Sequence, residues 1–286
     1  MKAVFTLTSS ESRRLIAKAV VQMPEFKTAW EKAYVLLAGG TTNAFIAQEI
    51  GCKGIEPALC TAGVSTDGLL CVTNPDSRRS YPNVFFKGIA QPDKTLTDGL
   101  NDFYPETVVI KGANAVDMDG YVGVITSGFD GGTIPRIIGT VTSKGLKYIA
   151  PVGLEKLVPS VQAAAKALGG ASHIDISLGA DPGMYCIANT TIITEIQAIK
   201  ILFGCDAALV CCGGVGGNEG AVTLAVDGEK DRIQDMVAFL EQNIKGEPPV
   251  KGNKGICEIC RYRFCRYCGK KPEELPEWMK KKGIQR

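Results

Sequence analysis

Histidine is almost absent from this chain of 286 residues, which contains only His173. The shortage excludes zinc enzymes that use two or three histidine ligands, and a Ser-His-Asp triad would have to use His173. The sequence contains neither the G-x-S-x-G turn of serine hydrolases nor the G-x-x-x-x-G-K-[ST] loop of nucleotide-binding proteins. The sequence therefore indicates a fold and candidate sites more directly than a reaction.

Long apolar runs are also lacking. No run approaches the roughly 18 residues that a membrane helix needs, and Met1 and Lys2 do not begin a secretory signal pattern. We therefore expect a cytoplasmic protein without a membrane partner. In that compartment the 11 cysteines are expected to be reduced thiols or metal ligands rather than disulfides.

Charge is unevenly distributed in a composition that is otherwise typical of a globular protein, with 45% hydrophobic and 22% charged residues. Residues 251–286 contain 11 Lys and Arg against four Glu, so this tail is basic and the rest of the chain is mildly acidic. The pattern predicts a separate C-terminal module. Its partner would be nucleic acid, an acidic protein or its own oligomer, and the alternative is a solubilising surface.

Apolar runs that alternate with helical patterns predict the fold of the first part of the chain. Residues 34–38, 108–110 and 148–152 are predicted strands, and helical stretches follow the first and last of them. Such alternation favours an α/β fold, a Rossmann-like three-layer arrangement with a mostly parallel sheet, over residues 1–170.

The next segment, residues 171–250, has a different order of elements. Strands are predicted at 184–192, 207–213 and 222–226, with helices at 194–203 and 229–245. This β-α-β-β-α order predicts a smaller α+β, ferredoxin-like subdomain before the tail at 251–286. The glycine-rich residues 213–220 join two strands, so they lack the strand-to-helix context of a dinucleotide fingerprint.

A glycine-rich turn lies between a predicted strand and a predicted helix. It consists of Gly39, Gly40, Thr41, Thr42 and Asn43. A helix start carries free N–H groups and a partial positive charge, and glycines allow a ligand to approach, so the turn can bind a phosphate or carboxylate. The alternative is a tight turn in which Thr41 or Thr42 only caps the helix.

Three segments carry a resemblance to a known superfamily. Residues 38–46 resemble the phosphate loop of ribose-5-phosphate isomerases and the glycine turn of the LUD (lactate-utilisation) domain, and residues 112–120 and 153–159 are similar to two further LUD segments. The segments occur in family order. The chain therefore resembles the isomerase/deaminase/CoA-transferase-like superfamily, with the LUD branch nearest. The resemblance implies a Rossmann-like fold that binds phosphorylated sugars, CoA esters or related anions at the carboxyl edge of its sheet.

The resemblance also implies which residues contact the ligand. These are Gly39, Gly40, Thr41, Thr42, Asn43, Gly112, Asn114 and Lys156. Lys156 matches a position at which the isomerases place a lysine near the substrate phosphate. Homodimers are common in the superfamily, so a homodimer is expected.

The reaction would be an isomerisation or a transfer on a phosphorylated or CoA-linked small molecule. An isomerisation needs a carboxylate base within reach of a substrate carbon. The acidic residues of the isomerases are replaced here in residues 111–115. Asp117, Asp119 and Asp130 remain as candidates, and the alternative is that all three are turn residues.

The most specific local pattern is C-x₂-C-x₄-C-x₂-C near the C-terminus. It consists of Cys257, Cys260, Cys265 and Cys268. Two such pairs can complete the tetrahedral shell of a structural zinc ion, and four thiolates also suit a [4Fe–4S] cluster. The third possibility is that the thiols bind no metal.

Arginines and aromatic residues lie between these cysteines, in a pattern that fits nucleic-acid binding or packing against the body. Three functions follow as alternatives: an anion-binding protein or enzyme, a non-catalytic regulatory or assembly module whose tail binds nucleic acid or protein, and an iron–sulfur redox protein related to lactate utilisation.

Overall fold

The computed structural model of this chain describes residues 1–127 and 131–281. The strands in this part are β1 (Lys2–Leu7), β2 (Tyr34–Leu37), β3 (Gly63–Thr66), β4 (Leu69–Val72), β5 (Val84–Phe86), β6 (Ile89–Ala90), β7 (Val108–Ile110), β8 (Ala115–Val116), β9 (Val122–Thr126), β10 (Lys147–Pro151), β11 (Gly183–Ile187), β12 (Thr191–Ile193), β13 (Asp206–Cys212) and β14 (Val222–Asp227). The α-helices are α1 (Ser9–Val20), α2 (Pro24–Lys32), α3 (Thr41–Glu49), α4 (Leu96–Asn101), α5 (Thr133–Lys144), α6 (Val161–Leu168), α7 (Glu195–Phe203), α8 (Lys230–Asn243) and α9 (Glu277–Lys281).

The central sheet contains six strands in the order β12-β10-β7-β2-β5-β6. The four strands from β12 to β2 are parallel, whereas β5 and β6 pair in antiparallel fashion. The chain is therefore mixed α/β, and its central sheet contains both parallel and antiparallel strands. The prediction of an α/β fold class is confirmed. Because β2, β7, β10 and β12 are parallel, their carboxyl ends lie at the same edge of the sheet.

Helices pack against both faces of this sheet. The side chains of a strand alternate between its two sides, so each central strand contributes to two apolar cores. Val35 and Ile110 contribute to an apolar core that includes residues of α1, α3, α7 and α8. Leu36 and Val109 point to a second core that includes Leu100 of α4 and residues of α5. Strands β2 and β7 are buried along their whole length, which explains why their sequences are continuous apolar runs.

A second, antiparallel sheet has the order β1-β14-β13, so it joins the N-terminal strand to two strands from residues 206–227. Residues 2–7 pair with residues 222–227, and β12 pairs with β10 of the central sheet. These pairings cross the boundary expected at residue 170, so the two expected units share their sheets.

The prediction of one strand at 184–192 was wrong, because this segment forms two strands, β11 and β12, in different sheets. Neither of them pairs with β13 or β14, as a ferredoxin-like subdomain would require. Asn189 has a φ of 55°, a left-handed conformation that interrupts an extended chain. The preceding residues, in β11, pair with β9, whereas those that follow, in β12, join the central sheet.

The first helix also differs from its expected length. The sequence predicts a helix that stops at Pro24, but α1 ends at Val20 and Pro24 begins α2. Proline is favoured in the first turn of a helix because its missing N–H has no intrahelical partner there. Thr8 caps α1 through a reciprocal pair of hydrogen bonds with Glu11, an arrangement that satisfies two helix-end N–H groups.

The C-terminal segment is docked on the rest of the chain by backbone hydrogen bonds. The N–H of Gly255 donates to the carbonyl of Val72 at 3.1 Å, and the N–H of Arg266 donates to the carbonyl of Gly179 at 3.1 Å. Tyr267 is buried with Leu69 on the β3–β4 hairpin. The basic tail thus packs against the rest of the chain beside this hairpin. Within the described residues, no helix has the length and apolar character needed to cross a bilayer.

Candidate functional site

The glycine turn lies where β2 ends and α3 begins, as the sequence predicts. Gly40 is the N-cap of α3, with a φ of 153° and no side-chain cap. Its N–H donates to the carbonyl of Cys60 at 3.0 Å. Neither Thr41 nor Thr42 occupies the N-cap, because both belong to the first turn of the helix. The first turn contains no acidic residue, so its partial positive charge is not neutralised there.

Asn43 holds the ends of two strands together beneath this turn. It is fully buried, and its Nδ2 atom donates to the carbonyls of Ala38 at 2.7 Å and Ile110 at 3.0 Å. Both amide protons are therefore used by the backbone. Asn43 thus fixes β2 relative to β7 at the edge where the turn lies, and its predicted ligand contact stays a prediction.

Lys111 follows β7 directly and extends toward the glycine turn. Its Nζ atom lies 3.5 Å from the carbonyl oxygen of Gly39. The residue is half-buried, and burial together with the nearby ammonium of Lys156 lowers the pKa of Lys111 to about 8. This lysine was not among the residues predicted from the sequence. The available signal was its position immediately after the apolar run 108–110 and before Gly112.

Lys156 reaches the same edge from the segment that follows β10. Its Nζ atom donates to the carbonyl of Ala113 at 2.9 Å. Burial lowers the pKa of Lys156 and the guanidinium of Arg13 adds to this effect, whereas the carboxylates of Glu155 and Glu195 oppose it. Two lysines from adjacent strands are thus close enough to repel each other. The predicted ligand residue Asn114 lies nearby, and its Oδ1 atom accepts the N–H of Ile125 at 3.0 Å.

Glu195 begins α7, which follows β12, and is a second residue not predicted from the sequence. It is fully buried, and its Oε2 atom accepts the N–H of Leu154 at 2.9 Å. Burial raises the pKa of Glu195. Because it holds the backbone two residues before Lys156, we interpret Glu195 as a residue that positions the β10 end of this edge.

The predicted carboxylate bases have different surroundings. Asp117 is buried, and its Oδ1 atom accepts N–H groups of Asp119 at 3.1 Å and Tyr121 at 2.9 Å. Its Oδ2 atom accepts the N–H of Val161 at 2.8 Å, so it ties the β8–β9 turn to the start of α6. These contacts are typical of a turn residue. Asp119 is exposed in this turn, and Asp130 lies outside the described residues.

The four tail cysteines lie in two turns that are bonded to each other. The N–H of Cys260 donates to the carbonyl of Cys257, and the N–H of Cys268 donates to that of Cys265, both at 3.1 Å. The N–H of Gly269 then donates to the carbonyl of Cys257 at 2.8 Å. All four residues are half-buried. The sequence pattern thus corresponds to one compact backbone unit.

Sulfur atoms of this unit form hydrogen bonds. The thiol of Cys268 donates to the carbonyl of Cys260 at 3.1 Å, and Lys254 Nζ donates to the sulfur of Cys257 at 3.6 Å. In the described residues, no group of three or more His, Cys, Asp or Glu side chains is arranged to hold a metal ion.

A fifth thiol, that of Cys71 on β4, belongs to the same neighbourhood. Cys71, Cys257 and Cys265 pack against one apolar cluster that contains Leu69 and Tyr267. Burial raises the pKa of Cys71, and the thiols of Cys257 and Cys265 contribute to this shift. No sequence pattern links Cys71 to the tail, from which it is separated by more than half of the chain.

Two adjoining surface clefts lie away from these groups, at the carboxyl-terminal ends of α1 and α3, with volumes of about 460 and 520 Å³. Lys18 and Glu49 meet there at 3.1 Å and neutralise each other. None of the predicted site residues lines either cleft. Neither cleft therefore overlaps the candidate site at the carboxyl edge of the sheet.

The structure thus brings together the glycine turn, Lys111 and Lys156 at one sheet edge, and the tail cysteines at a separate place beside β4. No protein-family model, curated protein or solved structure matches this chain.

Proposed function

We propose that this chain binds a small phosphorylated or CoA-type anion at the carboxyl edge of its central sheet. The observation that carries the proposal is Lys111, a half-buried lysine beside Gly39 whose charged neighbour is another lysine. Two like charges in a partly desolvated site are unfavourable. An anion bound between them and the glycine turn removes that repulsion.

The groups around Lys111 match the chemistry of a phosphate. The start of α3 offers N–H groups that have no partner inside the helix, together with the positive end of the helix dipole. Lys156 uses one of its three ammonium protons on Ala113, which leaves donors for a ligand. Both lysines would act as point charges.

The arrangement of strands supports the same proposal. Ligands of open α/β sheets bind outside the carboxyl ends of the parallel strands, and Lys111 and Lys156 follow two adjacent parallel strands here. Helices on both faces of the sheet are consistent with the Rossmann-like superfamily that residues 38–46, 112–120 and 153–159 resemble. We retain that superfamily as the proposed relationship.

Titration calorimetry with inorganic phosphate and with CoA tests the proposal. Replacing Lys111 or Lys156 by methionine is expected to weaken binding by about tenfold or more, since a hydrogen bond to a charged group contributes roughly 1.5–3 kcal/mol. Thr41→Val is expected to have a smaller effect, because the backbone N–H remains. The control is Lys166→Met on the exposed side of α6. Equal affinities of the parent protein and both lysine variants would refute this site.

We also propose that the tail cysteines hold a structural zinc ion. The observation in favour is the hydrogen bond that joins the two C-x-x-C turns through Gly269 and Cys257. Zinc would bind as the thiols lose their protons. Zinc at one per chain without acid-labile sulfide supports this proposal, whereas iron with matching sulfide favours the iron–sulfur alternative.

A further inference from the structure

We infer that Cys71 is a ligand of the metal ion proposed for the tail cysteines, and that the metal fastens the tail to the β3–β4 hairpin. The inference rests on the proposed zinc site. It differs from that proposal because it assigns one coordination position to a residue of the body, so that one tail cysteine stays outside the four-thiolate shell.

The backbone around Cys71 is bonded to both halves of the cysteine motif. On one side, the carbonyl of Val72 accepts the N–H of Gly255, two residues before Cys257. A Cβ on Gly255 would lie only 3.2 Å from that carbonyl oxygen, so the two chains are in close contact.

On the other side, the carbonyl of Leu70 accepts the N–H of Ala180 at 2.8 Å. Ala180 in turn forms an antiparallel bridge with Cys265. The residues immediately before and after Cys71 are therefore connected, by short paths, to the first cysteine of each C-x-x-C pair.

The side chains of the three cysteines also pack against one apolar cluster. Cys71, Cys257 and Cys265 contact the same buried cluster, which includes Tyr267 and Met279. An apolar wall on one side of a set of thiols excludes water, and such a wall is one of the means by which proteins tune a metal site. Other buried thiols of the chain have different surroundings; the thiol of Cys60, for example, donates to the carbonyl of Glu56 at 3.3 Å.

The test is zinc affinity, measured by competition with a chromophoric chelator, together with the absorption of the cobalt-substituted protein. Removing an outer-shell partner of a metal site costs roughly 10- to 100-fold in affinity. We expect Cys71→Ser to lower zinc affinity by more than that and to weaken the thiolate-to-cobalt absorption. The matched control is Cys52→Ser, which removes another half-buried thiol.

A second variant separates coordination from folding. Cys71→His supplies a different zinc ligand at the same position, so it is expected to retain zinc and to shift the cobalt spectrum. Zinc affinity of Cys71→Ser equal to that of the control would overturn the inference and leave the tail site intact. Absence of zinc and cobalt binding by the unmodified protein would instead refute the metal site itself.

Discussion

Replacing Lys111 by methionine is expected to stabilise the unliganded protein while it weakens anion binding. Burial and Lys156 lower the pKa of Lys111 from its ordinary value of 10.5 to about 8. A shift of that size corresponds to about 3 kcal/mol of free energy at neutral pH. Because the side chain keeps some contact with water, solvent screening reduces this contribution. We therefore expect Lys111→Met to raise the free energy of unfolding at pH 7 by about 1–2 kcal/mol.

The pH dependence provides the stricter test of this reasoning. With a depressed pKa in the folded state, Lys111 is deprotonated in the folded chain between pH 8 and 10.5 while it is still protonated in the unfolded chain. The stability of the parent protein therefore gains a contribution that grows with pH across this window. The advantage of the variant should be largest below pH 8 and should disappear toward pH 10.5.

Urea unfolding from pH 6.5 to pH 9.5 measures this difference, with Lys166→Met as the control for loss of an exposed lysine. Saturating phosphate should stabilise the parent protein and affect the Lys111 variant much less, because only binding to the folded state raises stability. A variant that is less stable than the parent at pH 7, or a stability difference that does not change with pH, would show that folding does not lower the pKa of Lys111.

Three further predictions concern the scaffold and are measured by urea unfolding. Gly99→Ala in α4 should lower the free energy of unfolding by about 1–3 kcal/mol, because the new Cβ would lie 2.5 Å from Leu36 Cδ2. The control Gly139→Ala, which has open space around it, should be neutral or stabilising. Equal losses of stability in the two variants would contradict the packing argument. Arg14→Met should lower the free energy of unfolding by about 2–3 kcal/mol, because it removes the cation that contacts Glu49 and Glu247 at 2.8 Å and leaves Glu49 with Lys18 only; a neutral result would show that water screens the two glutamates. Glu195→Gln should stabilise the protein at pH 7, because burial raises the pKa of Glu195 above 4.5, and the gain should disappear below about pH 4.5.

The sequence was most informative where one short segment contains the whole signal. The apolar runs at 34–38, 108–110 and 148–152 are strands β2, β7 and β10, because strands covered on both faces must be apolar at every position. The glycine turn was located for the same reason, since a strand, two glycines and a helix start are adjacent in the chain. The break between β11 and β12 at Asn189 was not predicted, because an isolated asparagine does not by itself indicate a left-handed backbone conformation.

Long-range pairing could not be predicted in the same way. Nothing in residues 2–7 indicates that their partner is residues 222–227, because the register of a strand is set by the buried face and not by a local code for the partner. The same limit applies to the sites. Glu195 and Cys71 acquire their environments only when distant segments meet, so their residue types and local spacing gave no signal. The position of Lys111 after a buried strand was a signal, but its lysine neighbour was not visible in the sequence.

Chelation of the metal proposed for the tail is expected to weaken binding of the proposed anion, because one segment of the chain contacts both proposed sites. The carbonyl of Cys60 accepts the N–H of Gly40 in the glycine turn, and the carbonyl of Val72 accepts the N–H of Gly255 beside the cysteines. Between them, Thr73 is bonded to the carbonyls of Thr61 and Ala62, which closes residues 60–73 into one hydrogen-bonded unit.

If metal binding orders this unit, it also holds the carbonyl that orients the glycine turn. Such coupling must be reciprocal, so phosphate should raise metal affinity by the same factor that metal raises phosphate affinity. Calorimetric titration of phosphate into zinc-loaded and chelator-treated protein measures the factor in one direction, and metal competition with and without phosphate measures it in the other. Both factors should be greater than one and equal. Identical phosphate affinities in the two metal states would show that residues 60–73 connect the sites in space without linking them in energy.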